Sequence, residues 1–206
     1  IDASGLELRL LAHYMDDSNY IDEIINGDIH TTNQELAGLE SRDKAKTFIY
    51  ALIYGAGDEK LGKVVGENRE AGTVLRKRFL TNLPALENLT TRVREASRRG
   101  FLKGLDGRKI FVRHEHAALN TLLQGGGAIA MKKAMCILHT HIQLNTLDAK
   151  FVANIHDEWQ MQVKESIAEF TGLTGVEAIE RAGKHFNLRC PLTGEYKVGE
   201  NWSETH

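Results

Sequence analysis

Apolar positions recur along this chain at two spacings, and the changes between them mark its elements. Ile1 to His13 reads as a strand end leading into a helix. A helix is predicted from Ser41 to Tyr54, with Ser41 as N-cap and Gly55-Ala56-Gly57 as its stop. Mixed helical periodicity runs from Glu59 to Arg99 and breaks around Asn82-Leu83-Pro84, where proline removes a backbone donor. Gly104-Leu105-Asp106-Gly107 predicts a turn into the β-prone Lys109-Ile110-Phe111-Val112. Helical spacing returns from Ala117 to about Ile142, despite Gly125-Gly126-Gly127. Glycine weakens a helix, so three in a row suggest a close backbone approach or a kink. Phe151-Val152-Ala153-Asn154-Ile155 and Trp159-Gln160-Met161-Gln162-Val163 alternate as strands do, which makes His156-Asp157-Glu158 a hairpin tip. A helix from about Ser166 to His185 and a short irregular or β tail complete the pattern.

Composition adds that 206 residues, 42% hydrophobic and 26% charged, can bury a sizeable core. No run approaches the ~18 apolar residues of a membrane helix, so no membrane partner is expected. Two cysteines, Cys136 and Cys190, make no disulfide framework, and Cys136, in an apolar helical stretch, is expected as a reduced, buried thiol. The formal charge of -2 argues against a nucleic-acid partner only while it is taken as evenly spread. Residues 1–41 hold one basic and nine acidic side chains, residues 42–113 seventeen and eight, and residues 114–206 eight and eleven. An acidic start and a strongly basic middle fit cation binding and polyanion binding in turn, although solvated helix faces give the same numbers.

Arg42, Lys46, Tyr50 and Tyr54 follow one another at intervals of four, which drifts only ~40° per step around a helix. Two cations and two aromatics thereby share one stripe, while Ala45, Phe48, Ile49, Leu52 and Ile53 fall on another face that can pack on a core. Such a stripe suits a triphosphate with a stacked base, and it equally fits a solvated basic face with half-buried rings. Asp2 at a strand end and Asp157 at a hairpin tip are each ordinary turn residues taken singly. Brought together they would hold two Mg²⁺ ions for in-line phosphoryl transfer. The chain has no His-Glu-x-x-His and no Cys-x-x-Cys, the spacings a zinc site would show.

Asp2-Ala3-Ser4-Gly5-Leu6-Glu7-Leu8-Arg9, then Arg42-x-x-x-Lys46-x-x-x-Tyr50-x-x-x-Tyr54-Gly55, then His156-Asp157-Glu158 resemble, in order, motifs A, B and C of family A DNA polymerases. Residues 42–50, 54–60 and 116–124 are more similar to the replicative polymerases of short-tailed phages of the T-seven type than to bacterial polymerase I. The resemblance covers essentially the whole chain. It implies an α+β fold: a right-hand palm of antiparallel sheet plus helices (residues 1–13 and 117–206) and a mainly helical fingers subdomain (14–116). It implies template-directed transfer of dNTPs to a primer 3′-hydroxyl in primer-template DNA.

By that resemblance Asp2, Asp157 and the backbone carbonyl of Ala3 would hold the two Mg²⁺ ions, with Glu158 adding negative potential beside them. Arg42, Lys46 and His30 would grip the triphosphate, Lys46 as proton donor to pyrophosphate, although His30 alone reads equally as a surface-loop histidine. Glu7 and Tyr50 would exclude a ribose 2′-hydroxyl, the tyrosine also admitting dideoxynucleotides, and Tyr54 would stack at the templating position. Arg108, Asn120 and Gln124 would check base pairs from the minor groove, where acceptors occur in every correct pair; an exposed helix pair and a turn cation are their plain alternatives. His156 would shape the hairpin tip at the DNA. Gly125-Gly126-Gly127 departs from the family's usual small-residue pattern and is expected to loosen its helix. The first metal-binding carboxylate is residue 2, so the chain is expected to be a carboxy-terminal piece without thumb or exonuclease. Such a piece would be weakly active or inactive alone, and would work with the rest of a polymerase and a thioredoxin-like processivity factor in the cytoplasm of a bacterial host. A single-subunit RNA polymerase of related fold and a non-catalytic duplex-binding module are the alternatives; Glu7 and its Leu6-Glu7-Leu8-Arg9 context argue against the first.

Overall fold

A computed structural model describes residues 1–205 of the chain. Strand β1 (Asp2–Ala3) turns at Ser4-Gly5 into α1 (Leu6–Met15), and Gly5 supplies the φ of 60° that a side chain would resist. Two further helices follow in residues 14–40. Asp17 caps α2 (Ser18–Ile25) by accepting the N–H groups of Asn19 and Tyr20, and Asp28 caps α3 (Ile29–Ala37) by accepting that of His30. The Tyr20 hydroxyl donates to Asn33 Oδ1 at 3.1 Å, a buried bond that ties the two helices.

Helix α4 (Arg42–Ile53) begins and ends as its sequence predicts: Ser41 Oγ accepts the Lys44 N–H at 3.3 Å, and Gly55 follows with φ 81°. Its buried residues are Ala45, Phe48, Ile49, Leu52 and Ile53, the face assigned to a core. Phe48 meets Phe79 edge to face, with ring centroids 5.1 Å apart. Phe79 lies on α6 (Arg69–Asn82), which packs against α5 (Asp58–Val64) backbone to backbone. A β-carbon at Gly72 would overlap the Asp58 carbonyl, and one at Gly62 the Asn68 carbonyl. The break around Pro84 separates α6 from α7 (Pro84–Ser97), with the proline in the first turn, where its missing N–H costs nothing. The turn at 104–107 joins β2 (Phe101–Lys103) to β3 (Lys109–Phe111) as an antiparallel pair.

Helix α8 (Ala118–Leu144) runs 27 residues without interruption, so the three glycines do not break it. The close approach is real at Gly127, where an added β-carbon would lie 3.1 Å from Leu6 Cδ2. Cys136 is exposed and Cys190 buried, both free thiols, which corrects the expectation for Cys136. The buried residues Ala134, Leu138 and Ile142 set the phase of α8, and Cys136, two positions from Ala134 and from Leu138, falls on the opposite side. Next come β4 (Ala149–Ile155), β5 (Glu158–Val163), α9 (Ala168–His185), β6 (Gly194–Glu195) and α10 (Trp202–Thr205). The strands form one antiparallel sheet in the order β4-β5-β1-β6. Trp159 is buried in it, with Phe151 edge-on at 5.8 Å.

Packing groups residues 1–10, 104–107 and 124–206 into one unit, which holds the four-stranded sheet, and residues 11–103 and 108–123 into a second, which holds α2 to α7. Among the described residues no helix is long and apolar enough to cross a membrane.

The contact of α6 with α5 predicts that Gly72→Ala costs about 1–3 kcal/mol, because the clash is with backbone that cannot turn aside. Urea unfolding measures this, and an unchanged midpoint would mean that the two helices can separate freely.

Candidate active site

In the sheet unit, β1 brings two carboxylates together. Ala3 N–H donates to the Asp157 carbonyl at 3.1 Å, Trp159 N–H donates to the Ile1 carbonyl at 2.8 Å, and Asp2 lies opposite Glu158. Asp157 closes the two-residue connection between β4 and β5, and His156 before it takes a φ of 53°, left-handed backbone that the tight turn imposes. Burial, then the neighbouring Asp157 charge, then Glu158 and Glu195 push the Asp2 carboxyl from 3.8 up to about 6. Burial also raises Asp157, and Glu7 and Glu158 add to the rise. Half-buried carboxylates that raise one another's proton affinity are the donor chemistry a divalent cation satisfies. Among the described residues no cluster of three or more His, Cys, Asp or Glu side chains is arranged to hold a metal, so the candidate set is two side chains and a backbone carbonyl.

Around that pair the sequence-predicted residues Glu7, Gln124 and Glu158 each have a fixed place. Glu7 stands in the first turn of α1, and Gln124 Nε2 donates to its Oε1 at 3.1 Å. Arg9 anchors the turn before it, donating Nε to the Ser4 carbonyl at 2.9 Å and Nη1 to the Pro191 carbonyl at 2.7 Å. Glu158 accepts from Trp202 Nε1 at 3.2 Å and from Gln160 Nε2.

In the helical unit, α3 and α4 assemble a second group. Tyr50 lies between His30 and Tyr54, each pair of ring centroids 6.2 Å apart. Burial lowers the His30 pKa, and the charges of Arg42 and Lys46 lower it further, so those cations and the imidazole share one neighbourhood. His30 Nδ1 is buried without a hydrogen-bond partner. Arg42 presents a bidentate fork to Asp28, Nε to Oδ2 at 2.6 Å and Nη2 to Oδ1 at 3.1 Å, which holds the Asp28 carboxyl far below its ordinary range. Asp28 also accepts from Thr31 Oγ1 at 2.9 Å, so one carboxylate caps α3, fixes the turn carrying His30 and aims Arg42.

Arg108 is exposed at the start of β3, and Asn120 is half-buried in the first turn of α8 with Oδ1 buried and unbonded. Two positioning groups escaped the sequence reading. Asp28 was detectable as an N-cap followed by a helical run and stopped by Gly38. Arg76 donates to Asp58 Oδ1 at 2.6 Å and to the Ala56 carbonyl at 2.5 Å, bracing the chain just after Tyr54, and no local signal announces a contact 20 positions away.

The fold is that of a polymerase domain: the polymerase domain of Pol1 from M. smegmatis, solved in complex with DNA primer-template and dNTP, superposes with a TM-score of 0.87 at 23% identity, over 99% of this chain and 39% of that one. The DNA polymerase family A model matches residues 1–204, and the chain belongs to that family. It is 46% identical, over 233 aligned positions, to the DNA-directed DNA polymerases of Enterobacteria phage T3 and Escherichia phage T7, and 29% identical to DNA polymerase I of Pseudomonas aeruginosa. All of this chain is covered in each case, and it spans 33% of the length of the two phage relatives.

The raised Asp2 sets a pH dependence. The folded chain binds this proton more tightly than the unfolded chain, so stability from this group is present below 3.8 and is lost as pH rises to about 6. Without divalent cations, Asp2→Asn is expected to melt above the parent at about pH 7.5, with the difference vanishing below about pH 4. An equal difference at both pH values would remove burial and repulsion as the cause.

Proposed function

We propose that the chain carries the palm and fingers of a template-directed DNA polymerase that transfers dNTPs to a primer 3′-hydroxyl. The observation that carries this reading is the pairing of β1 with the β5 hairpin, which joins Asp2 to Asp157 in a chain of family A. The sheet unit is read as palm and the helical unit as fingers. Asp2, Asp157 and the Ala3 carbonyl would hold two Mg²⁺ ions, whose chemistry there would be to lower the pKa of the primer hydroxyl and to offset charge on the triphosphate and pyrophosphate. Glu158 deepens the negative potential around those ligands.

Arg42, Lys46 and His30 bind triphosphate oxygens, and Lys46 returns a proton to pyrophosphate. The unbonded His30 Nδ1 and the three N–H groups of Arg42 that Asp28 leaves over support that role. Glu7 discriminates at the sugar C2′, since a ribose hydroxyl would crowd a carboxylate already held by Gln124, and Tyr50 contributes to the same selectivity. Tyr54 stacks at the templating position, Arg108, Asn120 and Gln124 contact the minor groove, and His156 shapes the tip beside the DNA. Duplex grip and processivity are left to a thumb and a thioredoxin-like factor outside these residues.

Primer extension tests the whole. Asp157→Ala abolishes divalent-dependent product, and Glu7→Ala narrows the preference for dNTPs over rNTPs by at least about tenfold. Preferential rNTP use by the parent would overturn the reading in favour of an RNA polymerase, and absence of metal-dependent product would leave a binding module. Asp28→Asn keeps a capping side chain but loses the charged fork, so the KM for dNTP rises severalfold while kcat changes less; a lowered KM would mean that Asp28 competes with the triphosphate instead of aiming Arg42.

A further inference from the structure

The β2–β3 hairpin has one face with no acidic side chain. Its register sets Phe101 opposite Phe111, Leu102 opposite Ile110 and Lys103 opposite Lys109. Leu102 is buried, so strand alternation puts Phe101, Lys103, Lys109 and Phe111 together on the other face. A bond from Val112 N–H to the Gly100 carbonyl, 3.0 Å, extends the register and brings Arg99 and Arg113 to the end of that face. Residues 98–113 hold six cations and one carboxylate, Asp106, which lies in the turn.

Local physics alone does not favour this arrangement. Like charges directly opposite on a ladder repel, yet Lys103 faces Lys109, and among the described residues none of Arg99, Lys103, Lys109 and Arg113 forms an ion pair. Two of the cations are steadied without being neutralised: Arg99 Cζ lies 5.0 Å and Lys109 Nζ 4.7 Å from the centroid of the Phe101 ring. Phe111 is 75% exposed, a ring offered to solvent between cations. Conflicts of this kind between local rules and the fold gather at functional surfaces.

We propose that this face binds single-stranded DNA, with a base stacked on Phe111 and the phosphates running past Arg99, Lys103, Lys109 and Arg113. A polyanion removes the repulsion between the lysines, and an aromatic ring accepts any base, which together make a sequence-tolerant single-strand site. Duplex DNA offers no open base face to Phe111, and an acidic peptide satisfies the cations but not the ring. The choice of DNA over RNA rests on the polymerase reading; the stacking surface does not.

Fluorescence anisotropy with a labelled oligothymidylate tests this in the intact protein. Phe111→Ala removes an exposed ring, so folding is untouched while affinity falls about tenfold. The double variant Lys103→Gln, Lys109→Gln lowers the slope of log affinity against log salt by about 1.4. Unchanged affinity and slope would overturn the proposal, as would polyglutamate binding tighter than the oligonucleotide and indifferent to Phe111→Ala. Extension across a single-nucleotide overhang, run on the same preparations, keeps the two readings apart. Oligonucleotide binding that depends on Phe111 supports this surface whether or not a primer is extended, so the two readings stand or fall separately.

Discussion

The arrangement depends on a strand of two residues. β1 is enclosed by β5 on one side and β6 on the other, and its backbone bonds hold Asp2 beside Asp157 against burial and mutual repulsion. Nothing about Asp2 itself favours that position. The sheet imposes it, with the buried Trp159 on β5 beneath and the Arg9 anchor at the turn that follows. A carboxylate kept where its proton is hard to lose is strain stored in a rigid element, available to whichever cation replaces the proton.

The second candidate group reaches the same end by capping. Asp28 satisfies the start of α3, and with its remaining lone pairs it holds the Arg42 guanidinium in a fork. Lysine at 42 could not accept that geometry, since a single ammonium cannot be oriented by two oxygens in one plane.

Much of this was legible in the sequence because it is local. Ser41 and Gly55 bound α4, the interval of four collects Arg42 to Tyr54, and alternation on both sides of His156-Asp157 gives the hairpin. What escaped has identifiable causes. Helices α2 and α3 are short, eight and nine residues, so little apolar repeat fits into either and their caps, Asp17 and Asp28, mark them best. Cys136 was misjudged because an apolar neighbourhood in sequence says nothing of the phase of a helix, which the buried Ala134, Leu138 and Ile142 fix. The close approach at Gly127 is to the Leu6 side chain, a tertiary fact that the run of glycines does not name. Arg76 was invisible for the same reason.

The glycine contacts between α5 and α6 have a mechanical consequence. With backbone against backbone at Gly62 and Gly72, and Arg76 bolted to Ala56 and Asp58, little gives between these two helices and the end of α4. The link from the end of α4 to α6 is therefore a braced joint, in which a shift of the backbone at Ala56 would press directly on Arg76 and Asp58 instead of being taken up in a free loop.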